Sequence, residues 1–167
     1  WEAICRATSA DGEQFTRVPI SEGKVGLFGE GPGTNTRDPM VLRVGALWHC
    51  YSTAFPNRQG AVFARTSPDW IQWSEPKVVN SGGKAGDGPF SAECPHVIER
   101  GGYYYLLRTE RYGRNNLSHV YRSTDPLNFG RNEDAQFWVC SLPVAAPEII
   151  SLDGQDYIAA LNPELNG

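Results

Sequence analysis

Ser91-Ala92-Glu93-Cys94-Pro95-His96-Val97-Ile98-Glu99-Arg100-Gly101-Gly102-Tyr103-Tyr104-Tyr105-Leu106-Leu107 is the stretch whose reading decides the fold. A carboxylate stands just ahead of a proline. An apolar run follows, then a Gly-Gly turn, then a second run rich in aromatic residues. That pattern predicts a β-hairpin whose first strand begins at an acid. Asp38-Pro39 through Thr53 and Ala146-Pro147-Glu148 through Leu161 read the same way, with Pro39, Pro95 and Pro147 spaced 56 and 52 residues apart.

A second kind of unit alternates with these hairpins. Ala3 to Phe15, Ala61 to Trp73 and Ser118 to Phe129 each contain a short strand, a Ser-x-Asp turn and an aromatic residue four positions past the Asp. Ser9, Ser67 and Ser123 lie 58 and 56 residues apart. The Asp of such a turn accepts backbone N–H bonds, and the aromatic is expected to pin the turn to the sheet, a structural role. One repeat is thus about 55 residues and four strands, placed in the second unit near 39–44, 47–53, 61–66 and 75–79. Four-stranded antiparallel units at this period are β-propeller blades. The expected fold is therefore all-β, a partial β-propeller of about three blades' worth. A single domain, 1–167, divides into an outer half-blade with linker (1–36), two blades (37–90 and 91–144) and an inner half-blade (145–167). Closed propellers typically need about 4–8 blades, so the ring is expected to belong to a larger propeller or to close by self-association.

Composition narrows the function. The 167 residues are 40% hydrophobic and carry a formal net charge of -4, which argues against a nucleic-acid partner. No apolar run reaches the length of a membrane span. The four cysteines (Cys5, Cys50, Cys94, Cys140) are far apart, fitting neither a zinc site nor a disulfide framework, and read as free, mostly buried thiols. The glycine-rich stretch Gly82 to Pro89 opens no helix and is not a phosphate loop. No metal or cofactor is expected. Trp1 opens the sequence without a signal peptide, so the natural start is read as removed and the compartment stays open.

In a propeller the innermost strand of each blade lines the central channel. Asp38, Glu93 and Glu148 would then converge on one funnel mouth. Gathered carboxyls repel, which favours one protonated and one ionised group, the pair that glycoside hydrolysis uses. A thiol nucleophile at Cys94, with His96 two residues on, is a minor alternative.

Here the motifs resemble a known family. Thr36-Arg37-Asp38-Pro39-Met40-Val41 is similar to the Arg-Asp-Pro motif of the five-bladed β-propeller glycosidases, families 43 and 32 and their relatives. Ser91 to His96 resembles the Glu-Cys-Pro motif of the family 32 fructosidases. With Tyr103 to Leu106 it equally resembles the Glu-x-Pro-His…Gly-Tyr-Tyr-Leu pattern of family 43 arabinosidases and xylosidases. The resemblance implies a carbohydrate partner, Glu93 as general acid, and Asp38 as the carboxylate that stabilises the transition state or tunes the acid. It implies Arg37 as a group that holds the substrate or Asp38, His96 as one that bonds a sugar hydroxyl or orients Glu93, and with less support Trp48 and Arg108 as substrate-binding groups. The family's remaining carboxylate belongs to a first blade that has no counterpart here, and Glu148 is the candidate substitute. Two other readings stand beside this one: a non-catalytic carbohydrate-binding or assembly module, and a sialidase-like propeller, since Ser9-Ala10-Asp11-Gly12 resembles the Asp box.

Overall fold

The computed structural model describes residues 2–20 and 23–161. Fourteen strands are present among the described residues. The first four, β1 (Ile4–Cys5), β2 (Ala7–Thr8), β3 (Thr16–Arg17) and β4 (Gly26–Phe28), form a short two-part ribbon in which β1 pairs with β4 and β2 with β3. Two four-stranded antiparallel sheets follow. One comprises β5 (Arg37–Val44), β6 (Leu47–Ala54), β7 (Ala61–Ser67) and β8 (Lys77–Ser81) in sequence order. The other comprises β9 (Glu93–Arg100), β10 (Tyr103–Arg111), β11 (Leu117–Ser123) and β12 (Trp138–Leu142). The hairpin β13 (Ala145–Leu152) and β14 (Gln155–Leu161) closes the described chain. This is the all-β, partial-propeller architecture that the repeats predict. No helix among the described residues is long and apolar enough to cross a membrane.

The fourth strand of the first complete blade runs two residues later than the sequence suggests, because the turn before it is longer. Ser74 still belongs to that turn: its N–H donates to the Thr66 carbonyl at 2.9 Å, and its Oγ accepts from Thr66 N at 3.0 Å. The Ser-x-Asp turns do the structural work expected of them. Ser67 Oγ accepts from the N–H of Trp70 at 2.9 Å, and Asp69 Oδ1 accepts from Ile71 and Gln72, each at 2.8 Å. Asp11 repeats the pattern with Glu13 and Gln14 at 2.9 and 2.8 Å, and these N–H donors hold its carboxyl down at about 2. The aromatic pins are less uniform. Phe129 is fully buried, whereas Phe15 is 66% exposed, because the β2–β3 ribbon offers too narrow a sheet to cover it.

The main core lies between the two complete blades. Tyr51, Val62, Ala64 and Val79 face Val97, Leu106 and Tyr121, with Ala92 and Phe129 filling the seam. Alternation of side chains along each strand makes this possible. The loop 124–137 of the second blade locks the seam from outside. Phe129 N–H donates to the Val79 carbonyl at 2.7 Å, Asn132 N–H to the Ser81 carbonyl at 2.8 Å, and Asn80 Nδ2 to the Phe129 carbonyl at 2.8 Å. The outer edge of β8 is thereby covered, as exposed sheet edges require.

Arg108 holds the linker between the blades. It is completely buried. Its Nε donates to the Ser91 carbonyl at 3.0 Å, its Nη1 donates to Asn80 Oδ1, and its Nη2 reaches the carbonyls of Gly82 and Gly86 at 3.5 Å. A buried guanidinium satisfied this way cannot also reach a sugar, so the expectation that Arg108 binds substrate is corrected to an internal role. Removing it leaves Asn80 Oδ1 and the Ser91 carbonyl without their partner. Arg108→Met is expected to lower the unfolding free energy by about 3 kcal/mol, read from urea denaturation; an unchanged midpoint would refute this role.

Candidate functional site

All three inner strands break register at the same place. Arg37 pairs with Thr53, Glu93 with Thr109 and Ala145 with Leu161, and each ladder resumes only after the proline, at Met40, His96 and Glu148. The residue before each proline takes a left-handed backbone: Asp38 at φ 55°, Cys94 at 48° and Ala146 at 48°. Proline lacks an N–H for the ladder, which makes a bulge the natural place for it in a paired strand.

Asp38 and Glu93 read as near-equivalent in sequence, with Glu148 offset past its proline; the register corrects the first of these. Glu93 corresponds to Arg37, two positions before the proline. Asp38 corresponds to Cys94. Glu148 corresponds to His96 and Met40. The three inner strands nevertheless bring five of these residues to one place. A cleft of about 420 Å³ is lined by Asp38, Pro39, Met40, Cys94, Pro95, His96 and Glu148.

Glu93 does not line that cleft; its carboxylate is ion-paired with Arg37 Nη2. Arg37 is held on several sides: Nη1 donates to the Asn35 carbonyl at 3.0 Å, Nε lies 3.7 Å from Asp38 Oδ2, and the guanidinium sits 5.7 Å from the centre of the Phe90 ring. Asp38 Oδ2 in turn accepts from the Cys94 N–H at 3.0 Å. The bulge of one blade is thus tied to the carboxylate of its neighbour. The next junction uses a hydroxyl instead, with the Ala146 N–H donating to Thr109 Oγ1 at 2.8 Å.

His96 also bridges blades. Its Nε2 accepts from the Ile149 N–H at 3.1 Å, which occupies the ring nitrogen expected to meet a sugar hydroxyl. Burial pushes its pKa below the ordinary value, outweighing the carboxylate of Glu148 nearby. Cys94 Sγ contacts the Tyr112 hydroxyl at 3.0 Å and Asp38 Oδ2 at 3.7 Å; no contact links it to His96. Burial raises its pKa as well. A neutral thiol without a base beside it does not favour nucleophilic chemistry. All four cysteines are free, but only Cys50 is fully buried, and Cys5 is exposed.

Trp48 is elsewhere. It pairs with Arg43 beside the β5–β6 turn, five residues from Thr53 and so about 17 Å along the strand from the funnel mouth. There its ring packs at a tilt against Trp70, with ring centres 5.0 Å apart, and the Arg43 guanidinium lies 5.2 Å from its ring centre. Its expected substrate contact is therefore corrected. The funnel end instead has two aromatics that the motifs did not single out. Tyr112 meets Cys94, and Phe90, 54% exposed, stands over Arg37 against Phe55. Neither belongs to a repeat motif, so only tertiary packing reveals them.

The comparisons with known proteins can now be set against this geometry. No protein-family model matches the sequence, and no curated protein matches it. Among solved structures, an exo-β-1,3-galactanase from Phanerochaete chrysosporium, solved with β-1,3-galactotriose, superposes with a TM-score of 0.54 at 13% identity, over 94% of this chain and 35% of that one. The chain shares a partial β-propeller fold with that structure. The GH43 protein BlXynB from Bacillus licheniformis gives 0.50 at 20% identity, over 78% of this chain and 30% of that one. An α-L-arabinanase from Cellvibrio cellulosa, complexed with arabinohexaose, gives 0.46 at 23% identity, over 74% and 43%. This propeller chain spans less than half the length of each of these structures.

Titration of the buried imidazoles makes the propeller's stability depend on pH. His96 and His49 both have pKa values lowered from 6.5 by burial. The unfolded chain therefore binds more protons as pH falls through that value, and stability present above it is lost toward the lower folded values. The melting temperature is expected to fall between about pH 7 and pH 5, with a shallower slope in His96→Gln. A His96→Gln profile that superposes on that of the parent would show that His96 does not contribute.

Proposed function

We propose that this chain belongs to a glycoside-hydrolysing propeller, with Glu93 as proton donor, Asp38 as the carboxylate supporting it and Glu148 as the second carboxylate at the cleft. The observation that carries the reading is the constellation where the inner strands of successive blades begin. Arg37 contacts both Glu93 and Asp38, and Asp38 shares a cleft with Glu148, which lies two blades further on. The glycosidase fold and the oligosaccharide complexes of similar structures support a carbohydrate ligand. Hydrolysis needs a carboxylic acid at the leaving oxygen and a carboxylate near the anomeric carbon. A guanidinium partner favours the ionised carboxylate, so proton donation by Glu93 requires a bound sugar to draw Arg37 away. Arg37 is then a substrate-sensing group as well as a binding one.

Aryl α-L-arabinofuranosides, β-xylosides, β-galactosides and fructosides are the substrates to test. Glu93→Gln should reduce turnover of the accepted substrate by at least about a hundredfold, while Ser67→Ala, in a turn at the far end of the blade, should leave it within about twofold. Equal turnover in Glu93→Gln and the parent would overturn the assignment.

A non-catalytic carbohydrate-binding module is the second reading, favoured by the ion pair that occupies Glu93. Oligosaccharide binding that persists in a chain without turnover would select it. Self-association to close the propeller is proposed in turn, since Ile150, Leu152 and Tyr157 share one exposed apolar face on β13 and β14. Light scattering should give a mass at least twice that of one chain; a strict monomer would exclude it.

A further inference from the structure

A second cleft, about 650 Å³ and lined by Asn57, Arg58, Gln59, Gly83, Asp87 and Asn132, is not used by the mechanism above. Register places it at the funnel end of the blades. Arg37 pairs with Thr53, Ala54 with Ala61 and Ala61 with Ser81, so the loop 55–60 and the start of the linker after β8 lie at the end where the inner strands begin. Asn132 is brought there by its N–H bond to the Ser81 carbonyl at 2.8 Å.

Every side chain of the lining carries a polar group. The cleft offers two side-chain amides of Asn, one of Gln, one guanidinium and one carboxylate. Gln59 Nε2 donates to Asp87 Oδ1 at 2.9 Å and to Asn132 Oδ1 at 3.0 Å, which fixes both acceptors while leaving them free lone pairs. Arg58 and Asp87 balance each other in charge. A cleft of paired charges and fixed amides suits a neutral ligand with many hydroxyl groups better than an ion, because donors and acceptors are both on hand and no net charge needs a counter-ion.

The backbone points the same way. Gln59 N–H donates to the Pro56 carbonyl at 3.2 Å across Asn57 (φ 54°, ψ 26°) and Arg58 (φ 63°), a type I′ turn. The second left-handed position of such a turn is a glycine position. Two hairpins obey this: Gly102 follows Gly101, and Gly154 follows Asp153, all with positive φ. Among the described residues, only here does a long charged side chain occupy the second of two left-handed positions. A non-glycine residue in a strained backbone position is a sign of function when the side chain faces a cavity.

We propose that this cleft is a sugar-binding subsite for an oligosaccharide, with Arg58 and Asp87 as its hydrogen-bonding pair. The ligand class rests on the glycosidase reading of the funnel; the site itself does not. Arabinohexaose and xylohexaose are the probes, titrated calorimetrically into Glu93→Gln protein to prevent turnover. Arg58→Gly in that background should weaken binding of at least one hexaose by about tenfold, with a melting temperature equal to or above that of the parent, since the turn becomes Asn-Gly. Parent affinity retained in Arg58→Gly, a clear loss of stability, or no binding of either hexaose by the parent would each overturn the subsite. A failed funnel reading is separable: aryl glycosides would go uncleaved while hexaose binding still depended on Arg58.

Discussion

Much of this structure depends on the bulge that each proline imposes at the start of an inner strand. Pro39, Pro95 and Pro147 have no N–H to give the ladder. Pairing lapses for two residues, and the residue ahead of each proline turns left-handed. For Asp38, Cys94 and Ala146, none of them glycine, that conformation costs about 1 kcal/mol each. The N–H groups released by the bulges are recovered across the blade junctions, by Asp38 for Cys94 and by Thr109 for Ala146. A local steric problem thus becomes the means by which one blade grips the next.

The same bulge determines what chemistry faces the funnel. It separates three consecutive kinds of position: two before the proline, one before it and one after it. The first is occupied by Arg37 and Glu93, which form an ion pair between blades. The second presents Asp38 and Cys94, and the third Met40, His96 and Glu148, to one cleft. The polarity of this cleft therefore arises from successive blades filling a repeated backbone feature with different side chains.

Behind the funnel, the buried Arg108 and the loop 124–137 hold the linker and the blade seam. Arg108 takes the carbonyls of Ser91, Gly82 and Gly86, so the strand carrying Glu93 leaves a linker fastened from within. The loop covers β8 and carries Asp134, whose carboxylate accepts from Lys84 N–H at 2.9 Å. Gly83 must be glycine there, since a Cβ would lie 2.2 Å from that carboxylate. The rim around the funnel is in this way rigid on both sides of the blade junction.

The repeat of about 55 residues, the Gly-Gly hairpin and the Ser-x-Asp turns were enough to determine the all-β propeller, because period-two alternation and turn chemistry are local properties. That Asp38 and Glu93 lie at the starts of neighbouring blades was also legible, from the proline that follows each within two positions. What the linear chain could not settle was the side of the bulge on which each residue falls. A one-residue change of register reverses the facing of every side chain. Only the folded ladder, in which Glu93 aligns with Arg37, turned three acids expected at one funnel mouth into an ion pair and a two-carboxylate cleft. Arg108 and Trp48 were misread for a related reason: an arginine or tryptophan near a motif has the same sequence whether it faces a sugar, a buried carbonyl or the far end of the blade. Long-range packing alone distinguishes these, through Asn80 and Ser91 for the one and Trp70 for the other.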